Sequence, residues 1–202
     1  MDTKTSVKNT MELESRAIID ALNNLDPSAV ETLVDKLATC KGKTCLAGCG
    51  TSGAAAKKIA HTLNCVNIPA IQIEPSDAVH GGMGVVTDKD IMIFLSKGGA
   101  TTEIDNMIAP ARAKGAYLVA VTENEGSKLA KKCDLLLRVK VEKEPDKFNI
   151  LATSSILATL SVFDAIAIAA MERTGFSKED FGVIHPGGAV GIILNHKPLY
   201  DK

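Results

Sequence analysis

Glycine and hydroxyl residues cluster at two places where a short apolar run gives way to an amphipathic stretch, residues 48–53 and 96–103. A third cluster, of hydroxyl residues alone, lies at residues 153–155 at the start of a long apolar stretch. Glycine lets the backbone come close to an oxyanion, and the free N–H groups at a helix start point at it. Hydroxyl side chains can donate further hydrogen bonds. Such loops are typical of phosphate binding. The candidate phosphate contacts in them are Gly50, Thr51, Ser52, Ser96, Lys97, Thr101, Thr102 and Ser154.

Each cluster also has a structural interpretation. A lone glycine-rich turn such as residues 48–53 is weak evidence for a ligand, because tight turns need glycine too. Residues 153–155 are good helix-start residues that can cap a helix, bind phosphate or do both. Two glycine-hydroxyl junctions on adjacent strands are stronger evidence, because together they can surround a phosphate from two sides. A dinucleotide site is disfavoured, since Glu74 is the nearest candidate for a ribose-binding acid and does not fit the frame.

Two carboxylates and two imidazoles stand beside these loops. Glu103 falls in the first turn of a predicted helix, where a capping role is the alternative, and Glu144 precedes the third cluster. His80 and His185 are both followed by glycine-containing turns that can aim an imidazole into a cleft. Carboxylates and imidazoles are common proton-transfer groups in enzymes. These four residues are therefore the catalytic candidates.

Strands alternate with helices from residue 44 onward. The apolar runs that predict strands are residues 44–47, 68–73, 91–96, 117–121 and 135–139, and helical stretches lie near 53–64, 102–114 and 126–132. This alternation predicts right-handed βαβ crossovers and a parallel sheet covered on both faces. The sequence therefore predicts an α/β fold, a three-layer, doubly wound sandwich with a five-stranded parallel sheet. Ligands of such sheets bind beyond the carboxyl ends of the strands, where the clusters fall.

Further helices are predicted at both ends of the chain. Residues 10–39 carry two helical patterns separated at Pro27, so we expect residues 1–39 to pack as N-terminal helices on a domain of residues 40–195. Residues 152–174 are apolar on nearly every side, which indicates a fully buried helix or one that meets another subunit, and we favour the subunit interface. Residues 196–202 are predicted to be a short tail.

Composition limits the partners and the compartment. With 202 residues a single domain is the default, and 23 Lys plus Arg against 24 Asp plus Glu leaves no basic excess for nucleic acid or a polybasic membrane contact. The N-terminus lacks the apolar core of a signal peptide, and we expect no segment long and apolar enough to cross a bilayer, so the cytoplasm is the expected compartment. Five cysteines without CxxC or paired Cys/His spacing are expected to be reduced thiols, and no metal site is predicted.

The order of these motifs resembles that of the SIS (sugar isomerase) domain family, and most closely its arabinose-5-phosphate isomerase-like branch. The matching elements are residues 48–53, Asp77-Ala78-Val79-His80-Gly81, residues 96–103, Glu144, residues 153–155, and Phe181 with His185-Pro186-Gly187-Gly188-Ala189. The match covers about residues 40–195, and its histidine-proline-glycine-glycine ending is the most specific part. Many relatives continue into a pair of nucleotide-sensing CBS modules, which this sequence lacks, so regulation through them is not expected.

The resemblance implies a protein that binds a phosphorylated sugar and interconverts aldose and ketose through an enediol, without a cofactor. It also implies subunits assembled as dimers of dimers, with active sites at subunit interfaces. The residues that match the phosphate contacts of the family are Ser52, Ser96, Thr101 and Ser154. The residues that match positions associated with catalysis are Glu103, Glu144, His80 and His185. Either glutamate is a candidate for the base that acts on carbon, and His185 for ring opening or oxygen protonation.

Two positions depart from the family pattern. Thr51 stands where the isomerases that this chain resembles have lysine, and Ser96-Lys97-Gly98-Gly99 stands where the family usually has serine-asparagine-serine-glycine. We expect Lys97 to supply the positive charge that is absent at position 51. A non-catalytic sugar-phosphate sensor is the alternative, since SIS domains also serve within regulators. The retention of both glutamates and His185 favours catalysis.

Overall fold

A parallel sheet of five strands forms the centre of the protein, whose structure, a computed structural model, describes residues 2–195. The strands are β1 (Thr44–Gly48), β2 (Ala70–Gln72), β3 (Ile91–Leu95), β4 (Tyr117–Thr122) and β5 (Leu135–Arg138). Their spatial order is β2-β1-β3-β4-β5, and every neighbouring pair is parallel. The predicted α/β fold with five parallel strands is confirmed.

The direction of strand addition reverses at β1. After β1 the chain moves to β2 at one edge, and it then returns to β3 on the other side of β1. In such sheets a crevice opens outside the carboxyl ends of the two strands at the reversal, and ligands bind there. The glycine-hydroxyl segments that follow β1 and β3 therefore lie where the topology itself provides a cleft.

Helices cover both faces of the sheet. Within residues 2–195 they are α1 (Thr3–Asn24), α2 (Pro27–Thr39), α3 (Thr51–Cys65), α4 (Pro75–Ala78), α5 (Thr102–Ala113), α6 (Lys128–Lys132), α7 (Ser154–Thr174), α8 (Lys178–Ile184) and α9 (Gly188–Asn195), with a short 3₁₀ helix over Gly82–Val85. Helices α1, α2, α3 and α7 pack on one face of the sheet, and α4, α5 and α6 pack on the other.

Successive side chains of the strands enter two separate cores. Leu46 and Ile93 pack with α1, α2, α3 and α7, whereas Cys45 and Phe94 pack with the opposite layer, and all four are fully buried. Side chains of a strand point alternately to the two faces, so a strand that is covered on both faces is apolar throughout. This is why the strands appear in the sequence as unbroken apolar runs.

The N-terminal helices share one of these cores. Helix α1 begins at Thr3, earlier than the apolar pattern predicts, because Asp2 accepts a hydrogen bond from the N–H of Thr5 at 3.1 Å and caps the helix. Helix α2 begins at Pro27, and its Leu33 is fully buried in the core that also contains the sheet. The domain boundary after residue 39 stays a prediction.

Helix α7 is 21 residues long and packs against α1, α2 and α3. Our expectation that no segment is long and apolar enough to cross a bilayer is wrong, because α7 meets that test by length and composition. Half of the most apolar 18-residue stretch of α7 is nevertheless buried inside the fold, as in the core helix of a globular protein. Ile168 on this helix is 54% exposed and Leu157 is 38% exposed, so α7 also presents an apolar outer face.

The last two described helices, α8 and α9, pack mainly against each other. Ser177 and Asp180 form a capping box at the start of α8. The segment that carries His185 is therefore not part of the two cores around the sheet. The predicted tail, residues 196–202, lies outside the described residues.

Candidate active site

The carboxyl ends of β1 and β3 lie side by side, with Gly48 paired in register with Leu95. A small cavity of about 30 Å³ lies beyond them. Its polar lining consists of Ser52, Ser96, Lys97, Thr122, Ser155 and Thr159. The structure thus brings three of the predicted phosphate contacts, from two separate loops, to one cavity. It adds Ser155 from the third cluster.

The loop after β3 is held by the hydroxyl of Ser96. Ser96 Oγ lies 2.8 Å from Thr101 Oγ1 and accepts a hydrogen bond from the N–H of Gly99 at 3.2 Å. Gly99 has a φ of +66°, and a Cβ there would lie 2.3 Å from Ser127 Oγ, so only glycine fits. Thr101 precedes α5 but makes no side-chain capping bond. Its hydroxyl therefore belongs to the Ser96 pair instead of the helix cap.

The loop after β1 approaches the strand closely. Ser52 donates its N–H to Cys49 O at 3.1 Å, and a Cβ on Gly53 would lie 2.7 Å from Gly48 O. Gly50, at a φ of +55°, stands before the first residue of α3 and provides no side-chain cap. The N–H of Gly53 also donates to Cys49 O, at 3.4 Å, so the Ser52 side chain is the group that this loop contributes to the cavity.

Three of the predicted residues are exposed and do not line the cavity. Thr51 and Thr102 are exposed at the first positions of α3 and α5. Glu103 is exposed in the first turn of α5 and accepts no hydrogen bond from any residue that the structure describes. Burial is the main cause that raises the pKa of Cys49, and the charge of Glu103 adds to it. Glu103 therefore acts electrostatically on the loop that follows β1.

Glu144 lies on the loop between β5 and α7 and is buried, with 2% of its surface exposed. Its carboxylate accepts four hydrogen bonds: from Lys97 Nζ at 2.7 Å, from Ser155 Oγ, from the N–H of Thr153 at 3.0 Å and from the N–H of Ser155 at 3.4 Å. Burial acts to raise its pKa, but the hydrogen bonds from Lys97 and Ser155 outweigh burial and lower the pKa below its ordinary value. Glu144 is therefore an anion at neutral pH.

The loop that carries Glu144 is fixed by its own side chains. The N–H of Glu144 donates to Asn149 Oδ1 at 2.6 Å, and Asn149 adopts a φ of +58°, which asparagine tolerates better than most residues. Asp146 accepts the N–H groups of Phe148, Ile150 and Leu151 at 2.8–2.9 Å. Asn149 is not among the residues predicted from the sequence, although an Asn five residues after a candidate glutamate is a turn signal in its own right.

Ser154, one of the predicted phosphate contacts, is not among the residues that line the cavity. Ser154 is fully buried at the start of α7, and its Oγ has no hydrogen-bond partner among the described residues. Ser155 lines the cavity and bonds Glu144. Successive residues of a helix point about 100° apart, so a helix that turns Ser155 toward the cavity turns Ser154 into the core. The capping alternative for Thr153 is not realised, since its side chain makes no capping bond.

The two histidines that are predicted to be catalytic do not line the cavity. His80 is exposed in the turn after α4. His185 ends α8, with its ring stacked on Phe181 at a centroid distance of 4.1 Å and its Nδ1 3.3 Å from Phe181 O. Within the described residues of one chain, neither imidazole contacts a residue of the cavity. Within residues 2–195, the two histidines are therefore not seen in contact with the buried Glu144 or with the cavity lining.

Wider clefts lie elsewhere on the surface. One of about 540 Å³ lies at the amino ends of the strands, where Asp90 and Tyr117 line it, and an apolar groove of about 550 Å³ runs between α1, α2 and α7. Neither contains a predicted site residue. Because ligands of doubly wound sheets bind at the carboxyl ends of the strands, the smaller cavity beside Ser96 is the candidate site.

Comparisons with known proteins agree with this fold. The SIS domain family matches residues 36–169. The chain is 34% identical to the arabinose 5-phosphate isomerase KpsF of Escherichia coli (strain CFT073) over 187 residues, which are 93% of this chain and 57% of that protein. The chain thus spans little more than half the length of the curated relatives it matches.

Two solved structures are similar along nearly the whole chain. One, from Listeria monocytogenes, is provisionally assigned as a sugar-phosphate isomerase; it has a TM-score of 0.90 and 45% identity and covers 93% of this chain and 100% of its own. The other, an Escherichia coli CFT073 protein in complex with arabinose 5-phosphate, has a TM-score of 0.87 and 32% identity and covers 92% of this chain and 100% of its own. The predicted resemblance is confirmed, and the chain belongs to the SIS domain family.

Proposed function

We propose that this protein is a sugar-phosphate aldose-ketose isomerase, and that its substrate is arabinose 5-phosphate or a close relative. The observation that carries the proposal is the convergence of Ser52, Ser96, Lys97 and Ser155 on one cavity at the reversal point of the sheet. Hydroxyl groups, an ammonium and helix N-termini are the donors that a phosphate needs. The named activity of the similar KpsF protein and the arabinose 5-phosphate complex of the similar Escherichia coli structure support the same substrate class.

The proposed chemistry needs only acids and bases. A base removes the proton from the carbon beside the carbonyl while an acid protonates the carbonyl oxygen, which gives an enediol. Return of a proton to the former carbonyl carbon, with loss of the proton on the neighbouring hydroxyl, completes the isomerisation. Glu103 and Glu144 are the candidates for the carbon base, and His80 and His185 for transfer among the oxygens. No redox cofactor enters this scheme.

Assembly of the histidines with the cavity is proposed to require a second subunit. Neither His80 nor His185 lines the cavity within one chain, and α1 and α7 expose Ile19, Leu22 and Ile168. Apolar surface of this kind is typical of a protein interface. We propose a homotetramer, a dimer of dimers, working in the cytoplasm. Light scattering on the purified protein tests the subunit number, and a monomer with full isomerase activity would contradict the shared site.

Proton exchange in heavy water tests the isomerase activity directly. The protein is incubated in D₂O with a panel of ketose and aldose phosphates, and loss of the exchanging C–H signal is followed by NMR. We expect exchange with arabinose 5-phosphate and a strong loss of exchange in Glu103→Gln or Glu144→Gln, whichever carries the base. Glu142→Gln, an exposed glutamate on the same loop as Glu144, is the matched control.

The same experiment separates the enzyme from the sensor alternative. A sensor would bind a sugar phosphate, as measured by calorimetry, without exchanging any carbon-bound proton. Exchange that survives in both glutamine variants would place the base on another residue. Binding without exchange across the whole panel would reject the isomerase proposal in favour of a sugar-phosphate-binding protein.

A further inference from the structure

Lys97 stands between the cavity and the buried carboxylate of Glu144. Its side chain lines the cavity together with Ser52, Ser96 and Ser155, and its Nζ lies 2.7 Å from Glu144 Oε1. The side chain of Glu144 has no exposed surface, whereas that of Lys97 is 37% exposed. The side chain of Lys97 thus both lines the cavity and covers the Glu144 carboxylate.

This pairing changes what Lys97 can do for a ligand. We expected Lys97 to supply the charge that is absent at position 51, but the structure shows its ammonium already neutralised by Glu144. A phosphate that enters the cavity therefore meets a cation that is engaged elsewhere. It can use that cation fully only by taking it from the carboxylate.

The size of the cavity points to the same exchange. About 30 Å³ is room for about two water molecules, and a sugar phosphate, with four oxygens on its phosphorus, is larger. Ser52, Ser96 and Ser155 are short side chains fixed at the ends of a strand and two helices, and Ser96 and Ser155 are also hydrogen-bonded. Lys97 has a flexible four-carbon stem. It is the lining group that can withdraw at least cost.

Glu144 can tolerate the loss of Lys97. It keeps the hydrogen bonds from Ser155 Oγ and from the N–H groups of Thr153 and Ser155. A buried carboxylate with three remaining donors stays ionised and in place, because hydrogen bonds to the charged form continue to stabilise it. A phosphate dianion carries more charge than a carboxylate, so it competes well for the ammonium.

We propose that Lys97 exchanges partners when the substrate binds: the incoming phosphate takes the ammonium from Glu144, and the Glu144 carboxylate is uncovered toward the sugar. This inference rests on the proposed function, in which the phosphate of a sugar occupies this cavity. The lone pair of Glu144 Oε1 that the ammonium of Lys97 engages becomes free to accept a proton. Lys97 is in this sense a positioning residue that makes the carboxylate available only when a phosphate is present.

The exchange also gives a reason for selectivity. A sugar without a phosphate does not draw Lys97 away, so Glu144 stays covered and saturated with donors. Binding of the non-reacting phosphate thereby prepares the reacting end of the site, a use of remote binding energy that raises turnover and not merely affinity. Discrimination against unphosphorylated sugars would then exceed what the loss of phosphate contacts alone explains.

The test uses inorganic phosphate as the probe, so it needs no turnover. Crystals of the protein are compared with and without phosphate, and phosphate affinity is measured by calorimetry for the wild type, Lys97→Met and Lys89→Met. Lys89 is exposed near the amino ends of the strands, so its variant removes the same charge far from the cavity.

In the phosphate-bound crystals, we expect Lys97 Nζ to lie within hydrogen-bond distance of the phosphate and its contact with Glu144 to be lost. Lys97→Met should bind phosphate about tenfold more weakly, the low end for a hydrogen bond to a charged group, and Lys89→Met like the wild type.

Two results would overturn the exchange. In one, phosphate occupies the cavity while Lys97 Nζ stays 2.7 Å from Glu144; in the other, Lys97→Met and Lys89→Met bind phosphate equally well. Lys97→Arg, which keeps the charge, covers the case in which Lys97→Met fails to fold, and it should retain most of the phosphate affinity. Failure of the isomerase proposal gives a different result. Lys97 would then still move from Glu144 to the bound phosphate, but the protein would turn over no sugar phosphate.

Discussion

Replacement of Glu144 by glutamine is expected to destabilise the protein in a pH-dependent way. Glutamine keeps the shape of the side chain, but it removes the charge and turns one oxygen into an NH₂ donor that faces the donors Lys97 and Ser155. Breaking a buried ion pair costs about 3–5 kcal/mol when the remaining charge stays buried. Lys97 is 37% exposed and can turn to water, so we expect about 2 kcal/mol, or a fall in Tm of about 4–8 °C for a chain of this size.

The pH dependence follows from the direction of the pKa shift. The hydrogen bonds from Lys97 and Ser155 outweigh burial and hold the pKa of Glu144 below its ordinary value of 4.5. A group whose pKa is lower in the folded than in the unfolded state stabilises the protein above the unfolded pKa, and this contribution is lost as the pH falls through the folded pKa. The difference between the wild type and Glu144→Gln should therefore be full at pH 7 and shrink as the pH falls below about 4.5.

Thermal unfolding followed by circular dichroism measures both effects. Protein concentrations must be equal throughout, because the proposed subunit association would make Tm concentration-dependent. Glu142→Gln is the matched control, since Glu142 is exposed on the same loop, and its Tm should stay within about 1–2 °C of the wild type. A Tm for Glu144→Gln equal to that of the control, or a difference that does not change with pH, would refute the argument from the hydrogen-bonded carboxylate.

Three further substitutions test the site and the core. Gly53→Ala should lower the free energy of unfolding in urea by about 1–3 kcal/mol, because its Cβ would lie 2.7 Å from Gly48 O. The control Gly98→Ala, whose Cβ would have no atom within 4 Å, should stay within about 0.5 kcal/mol of the wild type. Equal losses in the two variants would contradict the close approach at Gly53. Ser96→Ala should weaken inorganic phosphate binding by about tenfold in calorimetry, and unchanged binding would remove Ser96 from the phosphate site. Leu33, in α2, is fully buried, so Leu33→Ala should lower the free energy of unfolding by about 2–5 kcal/mol while unfolding remains a single cooperative transition. A separate, earlier unfolding transition would show that the N-terminal helices are an independent unit.

The sequence by itself determined the fold and the end of the sheet at which the site lies. Apolar runs with no alternation require cover on both faces, and helical stretches between them require parallel crossovers. Parallel strands place all their carboxyl ends on one edge of the sheet. Two glycine-hydroxyl loops that follow β1 and β3 therefore had to meet there, and Ser52 and Ser96 line one cavity.

The tertiary structure alone decided which side chains complete the site. Lys97 and Glu144 are 47 residues apart, and their pairing depends on how a loop without regular structure folds back over the sheet. The choice of Ser155 over Ser154 depends on the rotation of α7 about its axis, which is set by packing against α1, α2 and α3. The histidines were predicted from local turns, but a turn fixes only the direction of a side chain relative to its own backbone. Whether they line the cavity is decided by where α4 and α8 pack, and long-range packing is not encoded in any local pattern.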